Sequence, residues 1–164
     1  MDQIFQFCVW LQNLGWTTAL RESVYMFPVV EGIHLLGLAF ILGPVLMFDL
    51  RLAGFAWQDI TVSRIAKTFV PYSVAGAVVM FVTGILLFCA EPVKCFDSRW
   101  FRYKLVAIGV AGANALYFHF KTQATWAAWD DHPVPPGSAR MAGIVSMFFW
   151  TVVLFAGRWT AYNL

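Results

Sequence analysis

Apolar residues along this chain do not alternate with polar ones; they run on. Four stretches stand out, at about 27–50, 68–90, 101–121 and 141–157. Each is near the roughly 20 residues that an α-helix needs to cross a hydrocarbon core about 30 Å thick. Lipid offers the backbone no hydrogen-bond partners, so stretches of this length are predicted as helices, which satisfy their own N–H and C=O groups. Between them, Glu91-Pro92 followed by Asp97-Ser98 predicts a short turn, and His132-Pro133-Val134-Pro135-Pro136-Gly137 punctuates a longer loop. Residues 54–65 join the first two spans.

Ahead of the first span, residues 3–13 mix Phe5, Val9 and Trp10 with polar positions, which suits an amphipathic helix lying in the headgroup plane. Thr17 or Thr18 is expected to cap the next helix, and Pro28 to kink it by removing a backbone donor. Tryptophans mark two interfaces: Trp10, Trp16, Trp100 and Trp159 on one side of the membrane, Trp57, Trp126 and Trp129 on the other. The expected fold is all-α, an integral membrane four-helix bundle with an N-terminal interfacial helix, in one domain over residues 1–164. Met1-Asp2-Gln3 lacks a basic n-region, so no cleavable signal peptide is expected.

Composition agrees. With 60% hydrophobic and 12% charged residues, the chain carries more apolar surface than a soluble domain of 164 residues could hide. A net charge of +2 spread over scattered Lys and Arg gives no field to attract nucleic acid. The positive-inside rule does not set the orientation: six cations, among them Arg21 and Lys94, fall on the N-terminal side and five, among them Arg51 and Lys121, on the other. Cys8, Cys89 and Cys95 have neither CxxC nor zinc-ligand spacing. They are expected as buried free thiols, with a Cys89–Cys95 pair as the alternative. No nucleophile motif, phosphate loop or dinucleotide fingerprint is present, which argues against hydrolysis and phosphoryl transfer.

Ionisable groups inside a bilayer are costly, so the few that remain are functional candidates. Glu31 and His34 lie three residues apart on one face of the first span, where the carboxylate can orient the imidazole as outer-shell acids orient metal-ligating histidines. Gly32 and Gly37 beside them admit a flat macrocycle or a neighbouring helix. The third span carries Lys104, Asn114 and His119. At roughly 1.5 Å per residue, His34 and His119 fall on opposite sides of the midplane, whereas Lys104 shares the depth of His34. One iron does not easily bind both histidines. Haem b on His34 is the leading expectation, with Glu31 as its orienting acid or proton carrier and Lys104 as second ligand or propionate partner. His119 would serve a second haem, pair with Asp49 or Arg51, or relay protons. Against this stands the alternative that each histidine merely hydrogen-bonds between helices. His132, beside Asp130 and Asp131, is expected to be a solvated loop residue. Arg51 is expected to snorkel to phosphate with Asp49 beside it, and Arg158 to close the last span likewise. The methionines, such as Met47, Met80 and Met147, allow only an unspecific copper path.

The run Arg21-Glu22-Ser23, Phe27-Pro28-Val29-Val30-Glu31-Gly32-Ile33-His34-Leu35-Leu36-Gly37 and Asp49-Leu50-Arg51-Leu52 resembles an uncharacterised family of four-helix bacterial inner-membrane proteins. So do Thr83-Gly84, Phe101-Arg102-Tyr103-Lys104-Leu105, Ala111-Gly112-Ala113-Asn114, Phe118-His119, Ala139-Arg140 and Gly157-Arg158-Trp159-Thr160-Ala161-Tyr162. More distantly, the chain is similar to the haem-binding protoporphyrinogen oxidases and the copper-resistance D membrane proteins, a likeness carried by His34, Arg51, Lys104 and His119. The lysine-to-histidine separation is about a helical turn longer than in the oxidases. The likeness implies haem binding and no particular reaction; the leading expectation is a haem protein exchanging electrons with quinone or a membrane redox partner. The competing expectations are a cofactor-free accessory subunit of a membrane complex, and small-solute or copper-ion transport, for which four short spans would need to assemble as a homo-oligomer.

Overall fold

A computed structural model describes residues 2–162, and the side chains of all of these except residues 2, 122–124, 127 and 161. Among the described residues seven α-helices follow one another: α1 (Asp2–Gln12), α2 (Gly15–Glu22), α3 (Met26–Ala53), α4 (Val62–Ala90), α5 (Pro92–Asp97), α6 (Arg99–Tyr117) and α7 (Gly137–Tyr162). A π-helical turn over Phe118–Thr122 and a 3₁₀ turn over Gln123–Ala128 extend α6 towards the last loop.

Local chemistry sets the ends. Gly54, at φ 76°, turns α3 off, its N–H bonding Arg51 O at 3.1 Å while Phe55 N–H reaches back to Leu50 O at 3.0 Å. A residue without Cβ is favoured there because the left-handed conformation strains any other. Thr61 starts α4 by accepting from Arg64 N–H at 3.3 Å, and Ser98 starts α6 by accepting from Phe101 N–H at 3.3 Å. Both are side-chain caps of the first free N–H groups.

Two expectations about the N-terminal part are corrected. Thr17 and Thr18 cap nothing ahead of them, because Thr17 Oγ1 donates back to Leu11 O at 2.7 Å and Thr18 Oγ1 to Gln12 O at 3.2 Å, tying α2 to the end of α1. Pro28 does not kink a helix, since α3 begins only at Met26 and proline in a first turn removes a donor that has no intrahelical partner anyway. The turn after Glu91 also holds more than expected, namely the short helix α5.

The principal packing runs from α4 to α3, from α3 to α7 and from α7 to α6, with α1 laid on α5. Glycine makes the two central crossings close. A Cβ on Gly76 would lie 2.9 Å from Gly37 O, Ile41 N and Phe40 C, and one on Gly143 would lie 2.7 Å from Asp49 O. At one end the α5 connection brings α4 and α6 together, with Phe88 and Phe101 stacked at 5.8 Å. Away from these contacts the long helices show large apolar side chains outward, Leu36 at 64% and Phe81 at 71% exposure among them. Helices α3, α4 and α7 are long and apolar enough to cross a membrane. Helix α6 has 19 residues, with Arg99, Arg102, Lys104 and Asn114 breaking its apolar run.

Candidate functional site

Helices α3 and α4 meet at His34, and Lys104 of α6 lies within electrostatic reach of it. The half-buried imidazole leaves α3 towards α4, where its Nδ1 lies 2.8 Å from Thr83 Oγ1. The threonine hydroxyl has one proton and gives it to Val79 O, 2.6 Å away in its own helix. It therefore accepts from the histidine. This assigns the tautomer: Nδ1 carries the proton, and a neutral imidazole then keeps its lone pair on Nε2, free to bind a metal or accept a hydrogen bond. Gly84 leaves room for the ring, since a Cβ there would come 3.3 Å from His34 Cε1. From α6, Lys104 runs past Gly157 of α7, its Nζ 3.7 Å from where a Cβ on that glycine would lie. Its charge acts on His34. Among the described residues the ammonium has no ion pair and no hydrogen bond.

The structure thus brings His34 and Lys104 towards one another and leaves the other candidates apart. Glu31 does not orient His34, as the spacing had suggested. It is exposed on α3 and makes no hydrogen bond or ion pair among the described residues, while Thr83 of the neighbouring helix takes the orienting role. His119 pairs with neither Asp49 nor Arg51; it is exposed in the π-helical turn against the edge of Phe120. Among the described residues no three His, Cys, Asp or Glu side chains gather as a metal-holding group. The donor set near His34 therefore fits a cofactor held by a single imidazole, not a multi-ligand protein site. Thr83 and Gly84 escaped the residue-by-residue search. The available signal was a Thr-Gly pair inside an otherwise apolar span, which alone says only that a helix approaches closely.

The opposite end is built differently. Arg51 is fully buried and does not reach phosphate. Its guanidinium donates to Ile60 O at 2.6 Å, His132 O at 3.0 Å and Pro133 O at 3.4 Å, fastening the α3–α4 loop to the loop before α7. Asp49 does not pair with it. That carboxyl is 4% exposed, hydrogen-bonds Ser146 of α7, and has no partner for Oδ2. Arg140 donates to Ala53 O at 3.2 Å, and Asp130 accepts from Ser63 N–H at 2.8 Å at the start of α4. His132 is exposed, as expected of a loop residue. Arg158 packs its guanidinium over the Tyr162 ring at 4.6 Å and donates to its hydroxyl.

Three helices able to cross a bilayer, apolar side chains turned outward and a few polar groups held between helices define a multi-pass membrane protein. Over residues 9–163 the chain matches DUF6644, a family of unknown function, and it belongs to that family. No curated protein and no solved structure matches it.

Proposed function

We propose that the chain is a four-span protein of the bacterial inner membrane that binds haem b through Nε2 of His34 and exchanges electrons with quinone or a membrane redox partner. The observation that carries this is the relay from Nδ1 of His34 through Thr83 Oγ1 to Val79 O, at 2.8 and 2.6 Å. It fixes the ring orientation and keeps the outer nitrogen deprotonated, which is what an axial ligand requires. Helix α6 is the fourth span, packed along α7, with Asn114 Nδ2 donating to Ala142 O at 2.9 Å. Haem, when bound, would supply one-electron redox chemistry. Thr83 holds the proton on Nδ1, Gly84 gives the imidazole room, and Lys104 supplies a positive charge suited to an anionic group such as a propionate.

The test is spectroscopic. Protein purified in mild detergent after expression with ample haem should show a Soret band, and dithionite should sharpen the visible bands of a reduced b-type centre. His34→Ala should lose these bands, and His119→Ala should keep them. A colourless wild-type preparation, or an unchanged spectrum in His34→Ala, overturns the proposal.

One observation favours a second reading, a cofactor-free accessory subunit. Glu31 stands exposed and unpaired among the described residues on the apolar outer face of α3, where a partner helix bearing a donor would satisfy it. Under that reading Glu31→Gln weakens assembly with the partner, and His34→Ala leaves both fold and assembly unchanged.

A further inference from the structure

The three cysteines are free thiols in the structure, but they are not equally placed. The sequence offered Cys89 and Cys95 as the pair, six residues apart. The fold brings a different thiol to Cys95. Helix α1 lies on α5, and the two are joined by Phe5 and Phe96, whose rings are 5.8 Å apart. Cys8 is one helical turn beyond Phe5 on the same face of α1, and Cys95 immediately precedes Phe96. Cys8 is 3% exposed, on the helix that packs against α5, and Cys95 is half-buried. Cys8 is the thiol whose charge acts on Cys95; Cys89, in the last turn of α4, does not figure among the groups that do.

We propose that Cys8 and Cys95 form a redox-modifiable dithiol that closes to a disulfide by exchange with a low-molecular-weight disulfide, fastening α1 to α5. This does not depend on the haem proposal. The half-buried sulfur reacts first: Cys95, as thiolate, attacks one sulfur of the incoming disulfide, forming a mixed disulfide and expelling one thiolate. Cys8, as thiolate, then attacks Cys95 Sγ, forming the Cys8–Cys95 bond and expelling the second. The two cysteines lose two electrons and two protons, and the small disulfide leaves as two thiols. Burial of Cys8 protects the completed bond from bulky reductants.

The surroundings set the rate. Burial, with Glu91 and Cys8 adding to it, pushes the Cys95 thiol up to about 11, while the charges of Lys104 and Lys94 pull the other way. Only the thiolate attacks, so near neutral pH the pair exchanges slowly, and its rate rises as pH climbs towards that value, by about tenfold per pH unit.

The experiment treats the full-length protein in membranes with oxidised glutathione, quenches in acid, denatures, and counts free thiols with a maleimide polymer that retards each labelled chain on a gel. The wild type should fall from three reactive thiols to one and Cys89→Ser from two to none, with faster loss at pH 9 than at pH 7. Peptide mapping of the oxidised wild type should recover Cys8 linked to Cys95, a measurement that needs no variant to fold. A Cys89–Cys95 peptide, or retention of all three thiols at both pH values, overturns the proposal.

Discussion

The two ends of the helix assembly treat their cations in opposite ways, although the buried Asp49 at the first keeps an unpartnered Oδ2. At the end formed by the α3–α4 loop and the loop before α7, Arg51 gives its protons to three carbonyls, Arg140 caps the end of α3, and Asp130 starts α4. Around His34, near the α5 end, valence is left over: one imidazole nitrogen is engaged, and Lys104 has no counter-ion among the described residues. A buried polar group that is fully bonded holds the fold; one with unspent bonding capacity in an apolar setting is where a ligand gains most. Charge alone would not have separated these cases.

The largest effect is expected where the cation is bonded to carbonyls on two loops. Arg51→Met keeps much of the stem but leaves the carbonyls of Ile60, His132 and Pro133 without their donor. Each of these part-buried bonds from a charged donor contributes about 1–2 kcal/mol, so a loss on the order of 3 kcal/mol is expected. Thermal unfolding in detergent reads it, and limited proteolysis should open first at the two loops. An unchanged melting temperature would abolish the contrast between the ends.

A crossing between helices comes next. Gly76→Val places a branched side chain where even a Cβ would be 2.9 Å from the α3 backbone. Backbone cannot swing aside as a side chain can, so α3 and α4 must separate, at a cost of about 1–3 kcal/mol or more. Gly84→Ala meets only the imidazole of His34, at 3.3 Å, and the ring can shift by a few tenths of an ångström. Its stability should hardly change while any signal from the His34 ring moves. That split separates a packing glycine from one that makes room for the site.

Much of the membrane-spanning architecture was legible from the apolar runs. Three of the four predicted spans lie within helices long and apolar enough to cross, and His34 and Lys104 were singled out from their type and depth. The partners of these side chains were not legible. The i, i+3 rule points from His34 to Glu31 because it sees one helix, whereas the hydrogen bond runs across 49 residues to Thr83. Arg51 was misjudged for the same reason. The position of arginine at the end of a span suggests snorkelling, and only the two loops folding over it reveal a buried hub. Cys95 likewise finds Cys8 through the lie of α1 on α5, which no spacing rule encodes.

Thr83→Val tests the relay with a smaller effect. Valine keeps the shape but removes the acceptor for Nδ1–H, at about 1 kcal/mol or less. Nitrogen-15 resonances of His34 should show Nδ1 protonated in the wild type and a mixture of tautomers in the variant. A wild-type ring protonated at Nε2 would refute the assignment.

The sharpest use of the contrast repeats the first substitution at the other end. Lys104→Met, like Arg51→Met, replaces a cation by an unbranched apolar chain of similar reach. The lysine stem passes Gly157, and methionine can occupy that path. No carbonyl or carboxylate among the described residues loses a donor, because none is bonded to this ammonium. Taking an unpaired charge out of a partly apolar site removes a desolvation cost and breaks no bond, so stability should be unchanged or slightly higher. If the haem proposal holds, the same variant should alter the midpoint potential, since a positive charge near a redox centre favours its reduced form. The potential should fall. A loss of stability as large as that of Arg51→Met would mean that Lys104 has a structural partner and that the two ends are built alike.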